Sequence, residues 1–346
     1  MKTKMLYQPI IPIDITRHAR VISTGIFVPE NIVRNDDIIN RFDLIATDRA
    51  VQYSLGIKER RWDNQGLRVE DFLANAASQC LEQAGIGIEK VDRIIFTRLM
   101  GDYQVPSTSI GLLRKLNCSV GIPAFDIASA CSGFIHAIDM AIRYIDSGDD
   151  YVLILGGGIP SWAANYSGRD VDTTTIFLYG DGMAAILLGY SETQHIYCSY
   201  IDTDNSKYEV AYVPLGTELL NKTKAFKNEI FGMKITDGRA IYDCAVESAQ
   251  NTVAKLLESA GMTMDQIDIV VTSDQTTHVW EGQLKALNIP LEKSLSQFHQ
   301  YGNTIAAMVL FNLHGLISSG KLKRGMNVLM MSHGAGASGG GIIFRY

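Results

Sequence analysis

An α/β fold made of two related halves is what the sequence predicts, on three observations. Short apolar runs of strand size alternate with longer segments of helical periodicity along the chain. The halves rhyme: each has a helix, a strand with an acidic-apolar start (Val91-Asp-Arg-Ile-Ile and Ile267-Asp-Ile-Val-Val), a polar residue opening a later helix (Cys131 and Asn303), and closing strands around a glycine cluster. No apolar run approaches the roughly 18 residues of a membrane span. With 346 residues there is chain enough for two domains, which we expect over 1–190 and 191–346.

The elements follow from periodicity and punctuation. Val69–Ala84 has helical spacing and ends on Gly85 as its C′ residue. Arg93–Arg98 reads as a strand and Gly121–Ala128 as extended. Cys131–Ser147 returns to helical spacing, with Phe134, Ile138, Ile142 and Ile145 on one side. Asp150–Gly156 is a buried strand, and Thr173–Gly189 reads as a strand pair broken by Tyr179-Gly-Asp-Gly182. In the second half Arg239–Ala260 is a helix, Ile267–Thr272 a strand, and Thr277–Leu287 and Asn303–Ser319 helices. Asn327–Ser332 and Gly341–Tyr346 are closing strands.

Composition bounds the function. The chain is 47% hydrophobic and 20% charged, which excludes a disordered polymer. Its 37 acidic against 31 basic residues give a net charge of −6, arguing against a surface dedicated to nucleic acid or anionic membrane. Met1–Arg20 has no continuous apolar core of a signal peptide. Five cysteines (Cys80, Cys118, Cys131, Cys198, Cys244) make an odd number without a CxxC pair, which fits a reducing, cytoplasmic setting and leaves room for one reactive thiol. The seven histidines show neither HxxxH nor HxH spacing, so no metal site is expected. Gly334-Ala-Gly-Ala-Ser-Gly339 satisfies GxGxxG, but only a strand-sized segment follows it, so it carries no nucleotide-binding chemistry.

The most informative stretch is Asp126-Ile-Ala-Ser-Ala-Cys-Ser-Gly-Phe134, where an apolar strand runs into a helix with Cys131 at the junction. A thiol there meets unpaired backbone N–H groups and the helix dipole, which favour the thiolate and can hold an oxyanion. From this segment alone, a nucleophile and a buried structural cysteine stand about level.

The segment resembles the nucleophile motif of β-ketoacyl-acyl-carrier-protein synthase III and its relatives in the thiolase superfamily. Gly56-Ile-Lys-Glu-Arg60 resembles the family's early Gly-Ile-Arg-Glu-Arg element, and Tyr179-Gly-Asp-Gly-Met-Ala-Ala185 its Gly-Asp-Gly turn. Tyr301-Gly-Asn-Thr304 is similar to His-Gly-Asn-Thr, and Ser332–Gly341 to the terminal glycine-rich turn. The resemblance implies a thiolase-like fold: two duplicated βαβαβαββ halves in a five-layer α-β-α-β-α arrangement. It implies an acyltransferase in which Cys131 takes the acyl group, Asn303 orients the second substrate, and the amides of Cys131 and Ala335 form the oxyanion hole. It also implies an acyl thioester substrate, carried by acyl carrier protein or coenzyme A, no permanently bound cofactor, and a homodimer.

The sequence departs from the family in informative ways. The family's histidine lies thirty positions before its asparagine; here that position is Ser273, while a one-residue slip would place Asp274 there and match Gln275 to the family glutamine. Serine is a neutral donor and cannot act as an imidazole base. Three explanations compete: plain acyl transfer to an amine, hydroxyl or preformed carbon nucleophile, a histidine recruited from elsewhere, or an impaired subunit paired with a second ketosynthase in a heterodimer. We favour the first, in specialised fatty-acid- or polyketide-like biosynthesis. His333 is the substitute base with His278 second, against packed and solvated readings respectively. Ala50 and Ser54 replace the family's adenine-stacking and phosphate-binding residues. Lys285, Lys321, Lys323 and Arg324 are either carrier-docking cations or ordinary solvated charges. The loop Gly101–Pro106, with Val105 in place of a bulkier side chain, crosses into the partner subunit in relatives.

Overall fold

The computed structural model describes residues 16–164, 173–213 and 233–346. Two sheets, each backed by an outer helical layer, enclose a central layer of two helices. The first sheet has the order β1-β7-β6-β4-β5, from strands β1 (His18–Phe27), β4 (Arg93–Arg98), β5 (Ala124–Ile127), β6 (Tyr151–Gly158) and β7 (Gly182–Ser191). The second has the order β11-β12-β13-β8, from β8 (Ile196–Thr203), β11 (Ile269–Thr272), β12 (Asn327–Gly334) and β13 (Ser338–Arg345). Small ribbons β2–β3 (Ile32–Arg34, Glu59–Arg61) and β9–β10 (Ala211–Tyr212, Lys234–Ile235) complete the described strands.

The two sheets share one wiring. β4 runs parallel to β6 and β11 parallel to β12, whereas β6–β7, β12–β13, β7–β1 and β13–β8 are antiparallel. The largest core lies between the sheets, where the helices Gly133–Asp146 and Met308–Ser318 bury Phe134, Ile138, Ile142, Leu310, Phe311 and Leu313 against both. Val69–Ala84 packs outside the first sheet through Phe72, Leu73 and Ala76, and Gly238–Ala260 outside the second through Ala249, Val253 and Leu256. These are the five expected layers. No helix among the described residues is long and apolar enough to cross a membrane.

One expectation is corrected. Thr173–Leu178 is a short helix, not the first strand of a pair. Its β-branched residues suggested a strand, but Ile176, Phe177 and Leu178 are all buried, and burial on successive residues does not distinguish the two conformations by period. Residues 1–15, on which most of the leader argument rests, lie outside the described segments.

Among the contacts between the two halves is one tight backbone crossing. Asn303 N–H donates to the Leu178 carbonyl at 2.8 Å and Gly180 N–H to the Asn303 carbonyl at 3.3 Å, a parallel bridge between Tyr179 and Asn303. A Cβ on Gly180 would overlap the Tyr301 carbonyl oxygen. Gly180→Ala therefore has to force the strands apart and should lose about 2 kcal/mol or more in urea denaturation. Gly85→Ala is the control: its φ of 68° is strained for alanine but a Cβ meets nothing within 4 Å, so about 1 kcal/mol is expected.

Candidate active site

Cys131 sits where the fold was expected to put a nucleophile. β5 ends at Ile127, the chain makes a tight turn over Ala130–Ser132, and the central helix begins at Gly133. The turn is strained, with Ala130 at φ 45°. It is also held on the far side, because the Ser332 hydroxyl donates to the Cys131 carbonyl at 2.6 Å. Gly334 has to lack a side chain, since a Cβ there would lie 2.8 Å from the Cys131 nitrogen.

The turn opens on a cavity of about 330 Å³ lined by Cys131, Asn303, Gln275, His333 and the loop 334–338. Its remaining wall is largely apolar, including Leu55, Leu178, Met233, Ile241 and Ile305. The backbone marks the same place. Among the described residues six non-glycines have positive φ: Asp43, Asn117 and Asn288 close or follow helices, where Asx residues tolerate that conformation, and Ala130, Ile305 and Ala337 all line this cavity. A β-branched residue such as Ile305 at φ 58° is a true outlier.

Asn303 is oriented by that strain. Its Oδ1 accepts from Ile305 N–H at 2.8 Å, which assigns the amide and leaves the Nδ2 donors without a partner among the described residues. The amides of Cys131 and Ala335 both approach the Cys131 sulfur, so two N–H groups converge where a thioester carbonyl would be attacked.

Burial opposes the thiolate that the helix terminus favours. Burial pushes the Cys131 thiol up to about 12, and the two amides recover only part of that cost. The helix terminus supplies partial charge, but the closed apolar wall removes the water that a thiolate needs. Burial thus favours the neutral thiol at rest.

The Ser273 segment is arranged differently from its sequence reading. Ser273 is buried, does not reach the cavity wall, and its Oγ accepts from His333 N–H at 3.2 Å. Asp274 turns away to Thr272 Oγ1 (2.8 Å) and Asn312 Nδ2 (3.0 Å), and burial raises its carboxyl to about 7. Gln275 is the residue that reaches the wall, and its Nε2 donates to the His333 carbonyl at 2.6 Å. Ser273 and Gln275 therefore clamp both sides of His333's backbone, two residues before Ala335. In the sequence Gln275 entered only as the match to the family glutamine under a one-residue slip, with no sign of its contact to His333.

His333 lines the cavity with its ring buried. Nε2 lies 3.4 Å from Thr252 Oγ1, Nδ1 has no partner among the described residues, and desolvation lowers the imidazole to about 4. His278 is exposed at the rim, with Nε2 3.0 Å from the Tyr53 carbonyl. Ser54 also lines the cavity. The proposed docking cations separate. Lys285 and Arg239 share with His278 and Tyr242 a surface depression adjoining the cavity. Lys321 is instead tied to the Ser294 carbonyl and Arg324 to the Val21 and Ile22 carbonyls.

A buried thiol at a strand-to-helix turn, facing an asparagine amide and two convergent N–H groups inside duplicated α/β halves, defines an acyl-transferring condensing enzyme. Comparison with known proteins makes the assignment specific. Residues 125–205 match the family model for 3-oxoacyl-[acyl-carrier-protein] synthase III, and residues 257–346 match the model for its C-terminal part. The β-ketoacyl-[acyl-carrier-protein] synthase III of Neisseria meningitidis is 31% identical over 331 residues, covering 95% of this chain and 100% of the relative. The solved synthase III of Aquifex aeolicus superposes with a TM-score of 0.85 at 30% identity, over 95% of this chain and 100% of that one. The priming β-ketosynthase of a polyketide pathway shares the fold, with a TM-score of 0.87 at 23% identity over 97% and 98% of the two chains. The chain belongs to the β-ketoacyl-acyl-carrier-protein synthase III family.

His333 gives a signed pH prediction. Its folded pKa of about 4 lies below the ordinary 6.5, so its contribution to stability is present above pH 6.5 and is lost as pH falls toward 4. The stability of wild type relative to His333→Phe, followed by urea denaturation, should therefore fall by roughly 3 kcal/mol across that window. A flat difference would mean that the imidazole is hydrated or paired in solution.

Proposed function

We propose that this chain works by covalent acyl transfer: Cys131 attacks an acyl thioester, becomes S-acylated, and passes the acyl group to a second substrate oriented by Asn303. The amides of Cys131 and Ala335 hold the oxyanion in both half-reactions. The observation that carries this reading is the convergence of Cys131, the free Nδ2 of Asn303 and the Ala335 amide on one cavity.

The second half-reaction is transfer to an amine, hydroxyl or preformed carbon nucleophile, not decarboxylation of a malonyl thioester. Decarboxylation leaves an enolate that relatives hold with an imidazole as well as an asparagine, and Ser273 does not stand on the wall to replace it. Losing one such donor costs on the order of 10²–10³ in rate. His333 is the base for the acceptor: it is neutral at physiological pH and lines the cavity. These departures support a role in specialised fatty-acid- or polyketide-like biosynthesis. The donor is a carrier-protein thioester, met at the depression holding Arg239 and Lys285. The working unit is a homodimer: β5 leaves one sheet edge open, and Tyr103 and Val105 of the gate loop and Trp162 are exposed large hydrophobics.

Intact-protein mass after mixing with acyl-carrier-protein and acyl-coenzyme A donors tests the reading. We expect one acyl adduct on the wild type and none on Cys131→Ala, with carrier-protein donors loading faster. An adduct that survives in Cys131→Ala would overturn the assignment. Absence of any adduct, with co-purification of a second ketosynthase, would support the heterodimer reading instead.

A further inference from the structure

A second depression, of about 480 Å³, lies at the seam of the two halves, at the end of the strands away from Cys131. Arg20 of β1 lines it from the first half. His195, just before β8, and Arg324, Arg345 and Tyr346, beside the start of β12 and the end of β13, line it from the second. β12 starts here and delivers Gly334 to the Cys131 turn at its other end. At about 3.3 Å per residue the strand separates the two places by roughly 23 Å. No Asp or Glu lines this depression, on a chain whose net charge is −6.

The cations are placed by the fold, and only in part used by it. Ile22 is the extra residue of a bulge in β1, between the pairs Val21–Leu188 and Ser23–Leu187, and a bulge leaves backbone groups outside the ladder. Arg324 collects them: Nη1 donates to the Val21 carbonyl and Nη2 to the Ile22 carbonyl, each at 2.7 Å, with its Cζ 4.0 Å from the centre of the Tyr346 ring. Arg345 donates from Nε to the Gly325 carbonyl at 3.2 Å, and its two terminal nitrogens have no partner among the described residues. The side chain of Arg20 has none there either. Elsewhere on this face arginines are neutralised, Arg17 by Asp150 and Arg93 by Asp149. Arg20, Arg324 and Arg345 have no carboxylate within 4 Å among the described residues.

Tying down the bulge needs Arg324 alone. The unpaired ends of Arg20 and Arg345 add mutual repulsion and nothing to the packing, so an external anion is what their placement suits. Guanidinium forks match phosphate oxygens in pairs, and a concave cationic site concentrates anions. One phosphate monoester carries only about −1.5 to −2 at pH 7, so two linked phosphoryl groups balance three arginines better than one. We propose that this depression binds a diphosphate group, held between Arg20 of the first half and Arg324 and Arg345 of the second. The group is that of free pyrophosphate or of a nucleoside diphosphate. The site goes beyond acyl transfer and is independent of Cys131.

Calorimetric titration of pyrophosphate, ADP and sulfate at constant ionic strength and neutral pH tests it. The proteins are wild type, Arg20→Gln, Arg345→Gln, Lys285→Gln and wild type alkylated on Cys131 with iodoacetamide. We expect one pyrophosphate per chain, bound at least 10-fold tighter than sulfate, and at least 10-fold weaker in Arg20→Gln and in Arg345→Gln. Lys285→Gln and the alkylated protein should bind as wild type does, because their changes lie at the other end of the strands. Pyrophosphate should also raise the urea midpoint of wild type and leave that of Arg20→Gln unmoved. Without ligand the two should unfold alike, since Arg20 has no protein partner to lose. ADP binding at least as tightly as pyrophosphate identifies a nucleotide as the source, and weaker ADP binding identifies free pyrophosphate. Sulfate binding as tightly as pyrophosphate means an adventitious ion only and overturns the proposal. So does the absence of binding, or binding lost in Lys285→Gln or on alkylation but kept in Arg20→Gln.

Discussion

The bridge between Tyr179 and Asn303 is the contact on which the site depends, because it lays the segment carrying Asn303 within backbone distance of the first half. Two glycines permit it. Gly180 lies against Tyr301, and a Cβ on Gly302, at φ 66°, would lie 2.9 Å from the Leu178 carbonyl oxygen. Around them the structure spends strong polar groups. Arg60 is fully buried and donates to the Val33 carbonyl, Asn35 Oδ1 and the Phe177 carbonyl, and desolvation lowers its pKa only to about 9, so it stays charged at neutral pH. Trp62 Nε1 donates to the Tyr179 carbonyl, and Asp181 accepts from Asp63 N–H, Ser161 N–H and Ser161 Oγ. The early Gly-Ile-Lys-Glu-Arg element and the Gly-Asp-Gly turn are thus parts of one brace, and their arginine and aspartate fix backbone carbonyls and amides rather than ligands.

What the brace secures is a cavity in which charge is scarce. Among the described lining residues Lys207 is the sole Lys, Arg, Asp or Glu, and both the thiol and the His333 ring are driven to their neutral forms by desolvation. Such a site disfavours a thiolate in waiting. It can, however, hold donors pre-aimed at a charge that exists only in the transition state, where they are worth far more than in water. The backbone strain at Ala130, Ile305 and Ala337, roughly 1–2 kcal/mol each, is what aims them. Ser273 and Gln275 serve the same end by gripping the peptide of His333 on the strand that delivers the Ala335 amide.

The parts legible in the sequence were those with a local physical signature. Val69–Ala84 ends on a glycine at φ 68°, and the buried runs of β4, β6 and β12 read directly as strands. The turn carrying Cys131 was visible because small residues interrupt a strand-helix junction. Thr173–Leu178 was misread, since a six-residue segment with three successive buried apolar residues has no decisive period. For the Cys131 thiol the helix terminus is local and can be seen in a sequence, whereas the desolvation that opposes it comes from walls contributed by distant segments. The grip of Gln275 on His333 was silent for the same reason, since the two lie far apart along the chain.

The duplication explains both the likeness and the asymmetry of the two halves. Each central helix is preceded by a tight turn that opens on a positive-φ residue, Ala130 in Ala130–Ser132 and Ile305 in Ile305–Ala307. Matching these turns pairs Cys131 with Ala306, so the nucleophile and Asn303 are not equivalent residues even though both stand near a helix start. Counting back from the turns, the place of β5 is taken in the second half by the chain around Phe298–Tyr301, which is a short helix, and among the described residues the second sheet has four strands where the first has five. A strand there would have paired with β11 and carried the chain away along the sheet edge. As a helical turn ending on Gly302, it lets the chain cross to Leu178 and leaves Asn303 facing the thiol of the other half. One inherited elbow therefore serves as a nucleophile mount in the first half and as an anchor for the asparagine amide in the second.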